Sequence, residues 1–266
     1  MGRRRKVKEE PKPDGITIPG FTGLLISTPC YGGVVTNVYL HSVQPTITMF
    51  LKLGLKVTIL TLPDEAVISR ARDQFMAWFA ASAHSHMLCI DSDVQWAKED
   101  VIRLMLCGHE FIMGCYPRKI MPDPGKPMSY PIVWRLPGED GKLETCPTCG
   151  AIRIDGGPAG FMMVHKSVAE KMAASYPELK YEGIGKFPEP DKHLHGFYNP
   201  ILENGVLWSE DLSFCRRWSA IGGEIWLDPT IKLNHQGQYL YRGNIEELMT
   251  TVPVEEVKDD ATHATG

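Results

Sequence analysis

Four apolar residues followed directly by two carboxylates, Met87-Leu88-Cys89-Ile90-Asp91-Ser92-Asp93, constrain this chain more than any other stretch. An unbroken apolar run suits a central strand covered on both faces. The carboxylates cannot follow that strand into a core without compensation. In open α/β sheets ligands bind beyond the carboxyl ends of the strands, so Asp91 and Asp93 are expected at the mouth of a crevice. Two carboxylates so placed suit a hard divalent cation whose other ligands are water and a phosphate-bearing substrate. An isolated D-x-D fits equally a turn in which Asp93 caps the following helix.

The 266 residues, 43% hydrophobic and 23% charged, suffice for one large globular domain. A net charge of −4 gives no whole-molecule field toward nucleic acid or an anionic membrane. The apolar runs fall well short of the ~20 residues that a membrane span needs, and none follows the basic N-terminus. The expectation is therefore a cytoplasmic protein with neither signal nor anchor. Seven cysteines, some inside strand-like runs (Cys89, Cys115), read as thiols of a reducing compartment.

Residues 1–16, with Arg3-Arg4-Arg5-Lys6 and Lys8, read as a disordered basic arm. Leu24 to Thr28 is a short buried strand stopped by Pro29. Helical periodicity runs from about Thr36 to Leu53, kinked or restarted at Pro45. Leu55 to Leu62 is a second strand. A helix over Val67 to Ala81 puts Ile68, Ala71, Phe75, Trp78 and Phe79 on one face and leaves Arg70, Arg72 and Asp73 largely off it. This β-α-β-α order leading into the acidic strand predicts an open Rossmann-like α/β sheet with a nucleotide-type crevice.

A helix near Lys98 to Cys107 and a strand from Phe111 complete this half. Beyond Tyr116-Pro117-Arg118-Lys119 the texture changes to prolines, glycines and short strands. Cys146-Pro147-Thr148-Cys149 is half of a zinc site. No second pair stands at metal spacing, so it reads as a turn with two thiols unless His109, Cys107 or a distant histidine completes it. Gly156-Gly157-Pro158-Ala159-Gly160 runs into the strand Phe161 to Val164, and Ser167 with Glu170 forms a capping box for the next helix. Tyr181 to Gly205 reads as a mobile binding loop. Ser209 is placed to cap a helix ending at Ala220, before Gly222-Gly223. Strands at Ile225 to Leu227 and Ile231 to Leu233 lead to Asn234-His235, and residues 244–266 read as a frayed acidic tail after one domain over 17–243.

Each signal is weak alone; their order carries the argument. The chain resembles the nucleotide-sugar-dependent glycosyltransferases of the GT-A fold, in particular short single-domain forms of bacteriophages and bacteria. The resemblance spans about Leu24 to Gly243. It rests on the D-x-D at Asp91-Ser92-Asp93, the glycine loop at Gly156 to Phe161, the x-E-D at Ser209-Glu210-Asp211, and the late histidine His235.

That resemblance implies an open mixed sheet flanked by helices, with a smaller acceptor-side subregion. It implies Mn2+ or Mg2+ held by Asp93, by Asp91 directly or through water, and by His235, with a nucleoside-diphosphate sugar as donor. Thr28, Pro29 and Tyr31 fall where the family holds base and ribose, Arg70, Arg72 and Asp73 where it contacts base or phosphates. Ser92, Gly157 and Gly160 line the donor, the glycines letting backbone approach the sugar. Asp211 is implied as the catalytic base of an inverting transfer, with Glu210 orienting the acceptor or the loop. Pro158 departs from the pattern by removing a backbone donor.

Two other classes remain: a nucleotidyltransferase, which would carry an arginine in the loop after the first strand where Thr28-Pro29-Cys30-Tyr31 has none, and a non-catalytic nucleotide-sugar-binding module. The acceptor expected first is a hydroxymethylated pyrimidine such as 5-hydroxymethylcytosine in viral DNA, flipped against the aromatic and basic residues between Lys180 and Trp208. A polysaccharide or small molecule is the alternative. No stretch speaks to oligomeric state.

Overall fold

A computed structural model describes residues 17–139, 141–183 and 188–251. The basic arm assigned to residues 1–16, and the tail beyond residue 251, lie outside the described residues.

In chain order the strands are β1 (Leu24–Pro29), β2 (Val57–Leu62), β3 (His86–Ile90), β4 (Val94–Gln95), β5 (Phe111–Met113), β6 (Val133–Trp134), β7 (Ile152–Gly156), β8 (Phe161–His165), β9 (Ile201–Glu203), β10 (Val206–Trp208), β11 (Ile225–Leu227), β12 (Asn234–Gln236) and β13 (Leu240–Arg242). The α-helices are α1 (Asn37–Lys52), α2 (Ile68–Ala81), α3 (Lys98–Cys107), α4 (Lys166–Ser175), α5 (Pro188–Asp191), α6 (Glu210–Ala220) and α7 (Glu246–Thr251). Eight strands form one sheet in the order β2-β1-β3-β8-β5-β11-β7-β6. β2, β1 and β3 run parallel, whereas β8 is antiparallel to both neighbours. This is the expected open mixed α/β sheet flanked by helices.

The acidic strand behaves as its composition requires. All five residues of β3 are buried and their side chains alternate between two cores. Met87 and Cys89 pack with Phe75 and Phe79 of α2, Met172 of α4 and Phe214 of α6. Leu88 and Ile90 pack with Val43 and Phe50 of α1 and Val101 and Leu104 of α3. Helices on both faces leave the strand no polar side, and its charge can appear only past Ile90.

Several local expectations change. α1 is continuous through Pro45. Thr46 Oγ1, in the next position, donates to the Ser42 carbonyl at 2.8 Å and accepts from Trp96 Nε1 at 3.0 Å, tying the helix to the segment after β4. Asp93 caps no helix: β4 follows it, and α3 starts later, with Asp100 accepting from the Ala97 N–H. α4 is capped by His165, whose ring accepts from the Ser167 N–H, and Ser167 lies inside the helix. Ser209 sits at the N-cap of α6 but makes no capping hydrogen bond.

The segment expected as a mobile loop contains α5 and the β9–β10 hairpin, and Leu194, Phe197 and Tyr198 are buried. Arg217 of α6 donates to the Phe197 and Asn199 carbonyls, both at 2.7 Å, which fixes its path. Ile231 and Leu233 are buried but belong to no strand; the strand starts at the next residue, with His235 at its centre. The described fold continues past residue 243, since Ile245 is buried and α7 follows.

Candidate active site

A second, three-stranded sheet, β13-β12-β4, builds one half of the site. β4 begins immediately after Asp93 and pairs antiparallel with β12, placing Val94 opposite His235. The Gln236 N–H donates to the Asp93 carbonyl at 2.8 Å. Residues about 140 positions apart are thereby neighbours by backbone register.

The His235 Nδ1 lies 2.9 Å from the Pro117 carbonyl, which can only accept, so Nδ1 carries the proton. Nε2 then faces Asp93 Oδ1 at 3.4 Å. A lone pair and a carboxylate oxygen pointed at each other repel unless a cation or a proton stands between them. The other oxygen of Asp93 accepts from Lys119 Nζ at 2.5 Å. Burial pushes the Asp93 carboxyl up, but the contacts with His235 and Lys119 outweigh it and hold the group below its usual range.

Asp91 turns elsewhere. Its two oxygens accept from Arg72 Nη2 at 3.2 Å and from the Tyr116 hydroxyl at 3.1 Å. Arg72 is buried, in spite of an apolar stripe that would turn it outward, because three carboxylates meet it: Asp91, Asp211 at 3.5 Å and Glu210 at 3.9 Å. Asp73 is buried too, accepting from the Tyr198 N–H at 3.0 Å. Arg70 behaves as a solvated helix residue, paired with Glu65 at 2.8 Å.

Asp211 lies in the first turn of α6, facing the backbone of Ala159 in the glycine loop. Its Oδ1 is buried without a hydrogen bond; the Arg72 contact at 3.5 Å is an ion pair with poor hydrogen-bond geometry. Burial, opposed by Arg72 and reinforced by Glu210 and Asp91, raises its pKa to about 7. A buried carboxylate with a free lone pair and a pKa near neutrality suits a general base.

The glycine loop is fully buried, so its glycines meet protein atoms. A Cβ on Gly160 would stand 2.3 Å from Asp91 Oδ2 and 2.5 Å from the Tyr116 hydroxyl, and one on Gly157 would stand 2.5 Å from Met113 Sδ. The lack of side chains lets the loop reach Asp91 and Asp211 together. The Asp91 N–H also donates to the Gly160 carbonyl at 3.0 Å.

Of the nucleotide-side residues, Thr28 is buried with its hydroxyl on Tyr39 at 2.7 Å, Pro29 is half-buried, and Tyr31 is exposed just past the end of β1. Ser92 contributes its carbonyl, which accepts from Thr36 N–H and Oγ1, both at 2.9 Å. The structure thus gathers Asp91, Arg72, Glu210 and Asp211 into one cluster and Asp93, His235 and Lys119 into another beside it. Thr28, Asp73 and Gly157 lie in the core and Arg70 lies outside both clusters. Sequence reasoning passed over Lys119, Tyr116 and the Pro117 carbonyl; their one signal was position, just past β5, parallel to β11 at the sheet centre.

Four carboxylates (Asp91, Asp93, Glu210, Asp211) face two fixed cations (Arg72, Lys119). A divalent cation fits that imbalance, and the Asp93–His235 pair offers it one oxygen and one nitrogen.

No family model matches this sequence, and no curated protein matches it. Among solved structures, GalNAc-T7 with UDP, GalNAc and Mn2+ is similar at 11% identity over 82% of this chain and 44% of that one, with a TM-score of 0.44. This chain spans less than half the length of that protein. 4-Diphosphocytidyl-2C-methyl-D-erythritol synthase from Anaerococcus prevotii is similar at 10% identity over 61% of this chain and 80% of that one, with a TM-score of 0.32. Likeness this remote carries no functional weight, and the site is read from its own geometry.

Proposed function

We propose that this chain is a metal-dependent glycosyltransferase that moves a sugar from a nucleoside-diphosphate sugar to an acceptor hydroxyl with inversion. The observation that carries the reading is the buried, unpaired Oδ1 of Asp211, raised to about 7, within ion-pair reach of Arg72 and one residue from Glu210. It supports Asp211 as the base that takes the acceptor proton as the hydroxyl attacks the anomeric carbon. Arg72 holds Asp211 and Asp91 at fixed separation. Asp93 and His235 would hold Mn2+ or Mg2+, which would supply charge stabilisation for a departing nucleoside diphosphate. Lys119, paired with Asp93, supplies a further positive charge for the donor phosphates.

The first acceptor to test is a hydroxymethylated pyrimidine in DNA. Phe197 and Tyr198 belong to the core, so stacking against a flipped base falls to Trp208, whose ring already lies 4.3 Å from the Arg216 guanidinium. A second reading, an uncharged polyhydroxyl acceptor, is favoured by the groove of about 710 Å³ against α6. Asp155, Glu178 and Glu203 line it beside Arg216 and Arg217, and Glu203 pairs with Arg216. Such a lining repels a phosphate backbone.

The test incubates the chain with a panel of nucleotide sugars and Mn2+ or Mg2+, with and without hydroxymethylated DNA, and reads nucleoside-diphosphate release and labelled-sugar transfer. Metal-dependent release lost in Asp93→Ala is expected. Release that ignores DNA sends the acceptor search to glycans; no release with any donor overturns the transferase.

A further inference from the structure

Away from the acidic clusters, the loop between α3 and β5 and the hairpin before β7 bring a second set of side chains together. His109, Cys146 and Cys149 offer ligand atoms that all lie within 4.8 Å of one another. His109 Nε2 is 3.5 Å from Cys149 Sγ. In a tetrahedral zinc site, bond lengths of about 2.3 Å to sulfur and about 2.05 Å to nitrogen set a ligand edge of about 3.6 Å. The observed separation therefore already matches a shared ion. Cys107, at the end of α3, is a neighbour of Cys149 whose sulfur stands outside this group of three.

The surroundings hold this arrangement without drawing on the residues of the candidate active site. The hairpin turns back tightly: Cys146 N–H donates to the Ala151 carbonyl at 2.7 Å, Gly150 N–H donates to the Cys146 carbonyl at 2.9 Å, and Gly150 adopts φ of 77°. The His109 ring lies flat on Trp226, with centroids 4.4 Å apart and planes 14° from parallel, which fixes its aim. Arg103 reaches the Cys149 carbonyl at 3.4 Å and pairs with buried Asp228, placing positive charge beside the thiols.

We propose that Cys107, His109, Cys146 and Cys149 form a closed tetrahedral site for a structural zinc ion, which staples the β6–β7 hairpin to the α3–β5 connection. Three sulfurs and one imidazole select a thiophilic ion over Mg2+ or Mn2+. His109, Cys146 and Cys149 are buried or half-buried, and with Cys107 drawn in as the fourth ligand the ion holds structure and offers no place for substrate. Binding displaces the thiol protons to solvent and changes no oxidation state.

The experiment uses the full chain, purified under reducing conditions, with metal content read by mass spectrometry and Co2+ then exchanged in as the optical probe. One zinc per chain is expected, and Co2+ should give the strong visible bands of a tetrahedral site with thiolate-to-cobalt charge transfer in the near ultraviolet. An oxygen-ligated site cannot produce the latter. Cys149→Ser should lose the stoichiometric zinc. Because removing a thiolate also loosens the hairpin, His109→Gln is read beside it: charge transfer should persist while the visible bands shift and weaken. Cys107→Ser should lower charge transfer in proportion to the thiolates left. A reduced, folded chain that gives no charge transfer with Co2+ overturns the proposal, as does a spectrum unchanged in the Cys149→Ser protein.

Discussion

The acidic constellation and the cysteine cluster are two proposed cation sites on one α/β frame, and they differ in the groups that balance their charge. Around Asp91 and Asp211 the balance is electrostatic: a buried guanidinium, a lysine and a carboxyl raised to about 7 share an excess of negative charge. Around Cys146 and Cys149 the ligand atoms are sulfur and imidazole nitrogen, with no carboxylate among them and Arg103 alongside. The first site is therefore tuned to gain and lose a hard ion and a proton at modest cost, the second to keep a soft one. An ion exchanged during turnover and an ion retained for the life of the fold ask for these two chemistries.

The sharpest way to break the comparison is at the base. Asp211→Asn should lower transfer by about 10²–10⁴-fold while donor binding in calorimetry survives, because the amide keeps shape and loses only proton affinity. Arg72→Met should follow in size. Three carboxylates left around an apolar side chain are expected to cost about 3–5 kcal/mol of stability in denaturant melts, a loss that Mn2+ partly restores. His235→Ala should weaken Mn2+ binding at least about 10-fold in calorimetry and leave the cobalt–thiolate bands untouched. Chelation of the reduced chain should lower Tm by at least about 5 °C through the cysteine site alone, an effect still present in His235→Ala.

A pH series probes the buried acids. Burial raises Asp73 to about 8, against the pull of the Tyr198 N–H and of Arg217. An acid whose folded pKa is raised contributes stability that is complete below its unfolded value and is lost as pH climbs through the folded one. The loss therefore falls between about pH 4 and pH 8. Asp73→Asn should match the parent only below about pH 4 and exceed it at pH 9 by on the order of a few kcal/mol in urea melts. Arg70→Ala, two residues from Arg72 but fully solvated, should leave both Tm and transfer unchanged.

How much of this was legible varies with how far each feature depends on distant chain. β3 and its acidic end were readable because burial on both faces leaves a local signature, an unbroken apolar run ending in charge. The sheet class followed from the element order. The inward turn of Arg72 was not readable, because a helical stripe assigns charge to solvent and only Asp91, Glu210 and Asp211, brought from elsewhere, reverse that. The Asp93–His235 pairing depends on β4 and β12 meeting, which no local pattern encodes. The cysteine pair was visible and His109 and Cys107 stood among the residues that could complete it, but the sequence favoured a plain turn because a C-x-H at a helix end differs from the usual second pair; only the fold brings His109 to the two thiols. The burial of Phe197 and Tyr198 was hidden by a stretch whose composition is that of a loop.

β8 lies between β3 and β5 in the sheet although about fifty residues separate it from β5 in the chain. A ribosome extending this protein at about 5–20 residues per second therefore releases β1, β2, β3 and β5 into solution well before the strand that joins them exists. The early part of the chain can assemble β2, β1 and β3, but the exposed edge of β3 must wait, unpaired, for Phe161 to His165 to emerge. During that interval the nascent protein carries a strand that ends fully buried as an open edge, the state in which a holding chaperone has most to offer.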